Sequence, residues 1–136
     1  MFRNVAELVH LAESQNKKIS EIMIEQEMKV LQLSREEIIA KMERNLVVME
    51  KAIERGLEGV KSHSGLTGGD AVLLQKYIAS GKSLSGALLL DAVSKSVATN
   101  EVQADMGTMC APTTAGSAGV VPGTLPAVRD KVEPTR

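Results

Sequence analysis

Ile38, Met42, Leu46, Met49, Ile53, Leu57 and Val60 recur at steps of four and three residues. That spacing puts all seven on one side of an α-helix and leaves the acidic and basic residues between them facing water. Ser34 followed by Glu37 is a capping-box pattern just before the stripe, so a long helix is expected over about 34–60. No run of alternating polar and apolar residues supports a strand, and the chain reads as all-α. Phe2 and Tyr77 are the only aromatic residues, so any core must be aliphatic and methionine-filled. Met23, Met28, Met42 and Met49, at helical spacing, read first as core fillers.

Shorter helical segments flank this one. Asn4 and Glu7 resemble a capping box, opening a helix with Val5, Leu8, Val9 and Ala12 on one side and an end near Asn16. Ser20 is the expected N-cap of the next helix, with Ile19 and Ile24 as a hydrophobic staple and an end near Leu31. Asp70 is expected to cap a helix through Ala79, closed by Gly81. Ser83 or Ser85 is expected to start another through Leu88, Leu89, Ala92, Val93 and Val97, mostly buried because its charges are few. The last element is expected to begin within 111–119 and to include Val120, Val121, Leu125 and Val128. The 136 residues suffice for one compact unit, or part of one.

The net charge of -1 and the lack of aromatics argue against nucleic acid and anionic lipid as partners. The longest uncharged stretch, 106–128, contains Pro112, Pro122 and Pro126 with four glycines and five hydroxyl side chains, a mix poorly suited to a lipid bilayer. The single Cys110 excludes an internal disulfide, and no run at the start has signal-peptide order, so a reducing cytoplasmic setting is the expectation. Nine basic and eleven acidic side chains precede Val60, against seven and six from Lys61 onward, so the second part is expected to be the more deeply buried in a larger body.

Two glycine-hydroxyl loops carry the candidate chemistry. Residues 62–70 place Ser62, His63, Ser64, Thr67, Gly68 and Gly69 directly before a helix, where close backbone approach and the helix N-terminus favour a carboxylate or phosphate. Residues 111–119, with Thr114, Gly116 and Ser117, repeat that chemistry. Neither loop has the Gly-Lys-Ser/Thr end of a nucleotide P-loop, which favours a small carboxylate over ATP. The competing reading is that Gly, Ser and Thr merely form turns and caps, that His63 is a structural histidine and that Cys110 is a small buried hydrophobe.

Three motifs shift that balance: Lys61-Ser-His-Ser-Gly-Leu-Thr-Gly-Gly-Asp70, Leu84-Ser-Gly-Ala-Leu-Leu-Leu-Asp91 and Thr114-Ala-Gly-Ser-Ala-Gly-Val-Val-Pro-Gly123. With them the run from Met1 to Val128 resembles the N-terminal part of the alpha subunit of bacterial iron-sulfur-dependent L-serine dehydratase. The resemblance implies a helical part of a single alpha-subunit catalytic domain over 1–136. It implies a carbon-nitrogen lyase of serine catabolism and gluconeogenesis that dehydrates L-serine to aminoacrylate, which hydrolyses to pyruvate and ammonia. A 4Fe-4S cluster is the implied Lewis acid, and a beta subunit the implied partner. Ser62, Ser64, Thr67, Gly68, Gly69, Thr114, Gly116 and Ser117 become the expected substrate-binding residues, with His63 as the candidate for proton transfer. A non-catalytic helical scaffold or subunit-interaction module is the alternative.

Two departures from the family pattern stand out. The proline of its Thr-Pro-Thr-Ala-Gly sits one place earlier here, in Pro112-Thr113-Thr114-Ala115-Gly116. Pro126 replaces a bulky apolar residue four positions after Pro122, and two such prolines are expected to distort a helix. An open-site four-iron cluster needs three cysteine thiolates, and Cys110 supplies one. The chain is therefore expected to be a truncated or naturally split piece of the enzyme, carrying part of the substrate pocket and completed by the missing C-terminal part of the alpha subunit. Anaerobic reconstitution of this chain with iron and sulfide should give no stable four-iron absorbance; a stoichiometric cluster on the monomer would contradict the thiolate count.

Overall fold

The computed structural model describes residues 2–112, 114 and 116–132. Its helices are α1 (Val5–Gln15), α2 (Ile19–Leu31), α3 (Arg35–Gly59), α4 (Asp70–Ala79), α5 (Ala87–Ala104) and α6 (Ser117–Val132), with no strand among the described residues. The protein is all-α, as its periodicity implies. Among those residues no helix is long and apolar enough to cross a membrane. The chain divides into two compact units, Met1–Arg44 and Asn45–Arg136, with the division inside α3.

The first unit follows its capping residues. Asn4 Oδ1 accepts the Glu7 N–H at 2.9 Å, and α1 ends at Asn16 in the left-handed region. At the start of α3 the box closes in both directions: Ser34 Oγ accepts the Glu37 N–H at 3.2 Å and Glu37 Oε2 accepts the Ser34 N–H at 2.8 Å. The expected Ser20 cap is corrected. Helix α2 begins two residues earlier, with Lys18 as an N-cap that makes no side-chain bond, and Ile19 stays half exposed instead of being buried in a staple. Helices α1 and α2 pack together, Ile22 is buried, and Lys17 Nζ pairs with Glu25 Oε1 at 2.5 Å. Met42 departs from the expected core: it is 63% exposed because nothing in this unit covers its turn of α3.

In the second unit the long stripe buries Met49, Ile53 and Val60, and Ala52 joins Val60 and Val102 in one apolar cluster. Helix α5 then packs in a way that hydrophobicity alone misjudges. Its buried residues are Ser94, Lys95, Ala98, Thr99, Glu101 and Val102, whereas Leu88, Leu89 and Val93 are 40–57% exposed. Helix α6 repeats the pattern, burying Ala118, Gly119, Pro122, Gly123, Pro126 and Ala127 while Val120, Leu125 and Val128 stand half exposed. The expectation that α5 buries Leu88, Leu89 and Val93 is thus reversed, and the reason is distance. A Cβ on Gly123 would fall 2.6 Å from Ser96 N and 2.7 Å from Ala92 O, and one on Gly56 would fall 2.6 Å from Ala98 C. Helix α5 therefore touches both neighbours backbone to backbone, and residues without bulk must line the contacts.

Helix α6 runs through both Pro122 and Pro126 without a break. Each removes one intrahelical N–H bond, but both lie on the buried side beside Gly119 and Gly123, where packing on α5 sustains the helix. The expected side-chain caps of α4 and α5 are also corrected. Asp70 is the first helical residue after Gly69, whose φ is 93°, and Gly86 rather than Ser83 or Ser85 precedes α5, with φ 85°. Neither glycine has a side chain to cap with.

Charge fastens the same helices. Lys95 Nζ, only 11% exposed, lies 2.8 Å from both Asp91 Oδ2 and Asp130 Oδ2, and Arg129 pairs with Glu50. Burial alone would push the Lys95 ammonium down, but its hydrogen bonds to Asp130 and Asp91 outweigh that and hold it above the ordinary 10.5. The hydrogen bond from Lys95, helped by Arg129, holds the Asp130 carboxyl below 3.8.

Two predictions follow from this packing. Gly123→Ala and Gly56→Ala should each lower stability by roughly 1–3 kcal/mol in denaturant unfolding, whereas Gly116→Ala, with open space around its Cβ position, should stay within about 0.5 kcal/mol. Equal effects at all three sites would remove the close-approach account. For pH, the Asp130 contribution is complete above 3.8 and is lost as pH falls through its lowered value. The Lys95 contribution is complete below 10.5 and is lost as pH rises through its raised value. Melting followed from pH 7 downward should therefore fall less steeply below about pH 4 in Asp130→Asn than in the parent, by under ~1 kcal/mol because Asp130 is half exposed.

Candidate functional site

The loop between α3 and α4 folds on its own hydroxyls. Ser62 N–H donates to Thr67 O at 2.8 Å, Thr67 N–H donates back to Ser62 Oγ at 3.2 Å, and Gly65 N–H donates to Ser62 O at 2.8 Å. Ser62 Oγ and Ser64 Oγ lie 3.2 Å apart. Gly68 has φ 125°, and a Cβ there would fall 2.7 Å from Lys61 Cα, so only glycine fits against the end of the preceding segment. His63, Ser64 and Thr67 are exposed, while Ser62, Gly68 and Gly69 are half-buried. The sequence-derived residues of this loop therefore form one cluster, with Ser62 as its brace and the His63 imidazole in solvent.

The second loop is built similarly but more locally. Thr114 Oγ1 donates to Ser117 Oγ at 2.9 Å and accepts the Ser117 N–H at 3.3 Å, and Ser117 Oγ donates to Thr114 O at 2.8 Å. Thr114 and Ser117 thus shape the first turn of α6, with Gly116 exposed between them. Thr113 and Ala115, where the shifted proline motif was noted, lie outside the described residues. No hydrogen bond among the described residues joins this loop to residues 62–70. An open cleft of about 290 Å³ within the first unit, lined by Phe2, Leu11, Gln15, Ile22, Glu25, Gln26 and Lys29, contains none of the candidate residues.

Sequence reasoning overlooked Glu101. This carboxylate on α5 is 6% exposed, and its Oε1 accepts the Asp70 N–H at 2.6 Å and the Ala71 N–H at 3.4 Å. It occupies the helix N-terminus that the first loop leads into, so an incoming carboxylate would meet a negative group already seated there. The signal was available: Glu101 is the one acidic residue between Asp91 and Asp105, on a segment expected to be mostly buried.

The donor set does not fit a four-iron cluster. Cys110, half-buried, is the one thiol of the sequence, and among the described residues no three His, Cys, Asp or Glu side chains converge on a metal position.

Three curated proteins are similar to this chain. The "Probable L-serine dehydratase, alpha chain" of Bacillus subtilis (strain 168) is 63% identical over 136 residues, covering 100% of this chain and 45% of the relative. The "L-serine dehydratase, alpha chain" of Peptoniphilus asaccharolyticus is 30% identical over 132 residues, 96% of this chain and 45% of that protein. The corresponding protein of Latilactobacillus sakei, again described as probable, is 58% identical over 38 residues, 28% of this chain and 18% of the relative. The chain thus spans about half the length of the first two relatives. No solved structure matches it significantly. The family model described as "Serine dehydratase alpha chain" matches residues 14–135, which takes in α2 to α6 and both glycine-hydroxyl loops, and the chain belongs to that family.

Proposed function

We propose that this chain is part of the alpha subunit of an iron-sulfur-dependent L-serine dehydratase, a carbon-nitrogen lyase that converts L-serine to pyruvate and ammonia in serine catabolism. The family match over residues 14–135 carries this reading. In the reaction a proton leaves the α-carbon and the β-hydroxyl departs, giving aminoacrylate and water; hydrolysis of aminoacrylate then yields pyruvate and ammonia. Because the donor set here does not fit the cluster, its ligands would come from other parts of the enzyme, and no step is assigned to it.

What this chain contributes is binding. The exposed hydroxyls of Ser64 and Thr67, on a loop braced by Ser62, can donate to the substrate carboxylate, and Gly68 and Gly69 let the backbone approach it. Thr114, Gly116 and Ser117 form the second contact surface. His63 is the proposed proton-transfer residue, since its exposed imidazole stands on the same loop as these hydroxyls and a histidine side chain can both donate and accept a proton. Residues 1–136 would form part of one alpha-subunit domain. The outward Leu84, Leu88 and Leu89, with Val120, Leu125 and Val128, suit packing against the remainder of the alpha subunit and the beta subunit.

The scaffold alternative has one observation in its favour: the hydroxyls of Ser62, Thr114 and Ser117 are already engaged in holding their own loops. Kinetics of the anaerobically assembled enzyme containing this sequence separate the two. Ser64→Ala and Thr114→Ala should each lower kcat/KM for L-serine roughly ten- to a hundredfold while leaving the cluster absorbance unchanged. Unchanged kinetics in both variants would favour the scaffold.

A further inference from the structure

Helix α4 starts where it cannot cap itself. Its N-cap position is Gly69, its neighbour Gly68 is held to glycine by the Lys61 backbone, and no side chain of the loop reaches the first helical N–H groups. The partner comes from thirty-one residues downstream. Glu101 Oε1 takes the Asp70 and Ala71 N–H groups, while Ser94 Oγ, also on α5, donates to Ala71 O at 3.2 Å. The start of α4 is therefore held by α5 at both a donor and an acceptor. Burying a carboxylate this deeply is costly unless charge-assisted bonds and the positive end of a helix offset it. One oxygen receives both; the other, Oε2, is buried with no partner. A glutamate that served packing alone would be replaced at lower cost by an apolar side chain.

We propose that Glu101 is a positioning residue for substrate binding, which rests on the serine dehydratase reading. By fixing Asp70 and Ala71 it sets the Gly68-Gly69 end of the hydroxyl loop, and by filling the α4 N-terminus it keeps the substrate carboxylate out of that position and on the loop hydroxyls. Glu101 touches no substrate itself. Reach, rather than charge, is what the role requires: a glutamine oxygen can accept the same two N–H groups, whereas an aspartate is one methylene too short.

The test compares Glu101→Gln and Glu101→Asp in the anaerobically assembled enzyme, with L-serine as substrate. Glu101→Asp should raise KM about tenfold or more with kcat within about twofold and the cluster absorbance unchanged, and Glu101→Gln should keep KM within about threefold of the parent. An unchanged KM in Glu101→Asp, or equal impairment in both variants, would overturn the proposal. In the 136-residue chain, the amide protons of Asp70 and Ala71 should lose exchange protection in Glu101→Asp and keep it in Glu101→Gln; the reverse would also overturn it. A parent enzyme inactive on serine would instead sink the functional reading and the substrate part with it, while the amide exchange still decides whether Glu101 holds the turn.

Discussion

The absence of side chains at Gly56 and Gly123 lets α5 approach α3 and α6 to backbone contact, and most of the second unit depends on that approach. At such distances a leucine would be an obstruction. Dispersion between backbones and small groups replaces the interlocking of large aliphatic side chains. The polar residues drawn into the contact are satisfied locally: Thr99 Oγ1 donates to Lys95 O at 3.0 Å and Ser96 Oγ to Ala92 O at 2.8 Å. A chain with almost no aromatics can build a dense core in this way, because the volume to be filled has been made small.

Helix α5 is consequently the element through which the others are fixed. It presents Ala98 to α3, Lys95 to Asp130 of α6, and Glu101 and Ser94 to the start of α4. Its aliphatic residues are displaced to the outside, and α6 shows the same inversion. Apolar surface is thus left outward by a tightly packed interior, and the first two relatives run to about twice the length of this chain. On the proposed function, these faces join the chain to the rest of the catalyst while the loops lie at its working edge.

Filling the α4 N-terminus from within changes what the glycine-hydroxyl loop can offer. A free helix N-terminus would bind any small anion by its N–H groups. With Glu101 seated there, the proposed function leaves recognition to the hydroxyls, and these are shaped by the loop's own bonds and by the two glycines.

Much was legible in the chain itself. Helix α3, its reciprocal Ser34–Glu37 cap and the Asn4 cap follow from local periodicity and short-range hydrogen bonding, which need no tertiary partner. The residues of the first loop were legible for the same reason, since Ser62, Ser64 and Thr67 meet within a few positions. What the tertiary structure decided was which faces are buried. Sequence patterning assigns the inside to the bulkiest apolar residues, but on α5 and α6 the inside went to Gly, Ala, Ser, Thr and Pro, because helix separation is set jointly by two chains of side chains and neither reveals it alone. The cap of α4 was hidden for a related reason. It joins Asp70 to Glu101 across thirty-one residues, and only the packing of α5 brings that carboxylate to the start of α4.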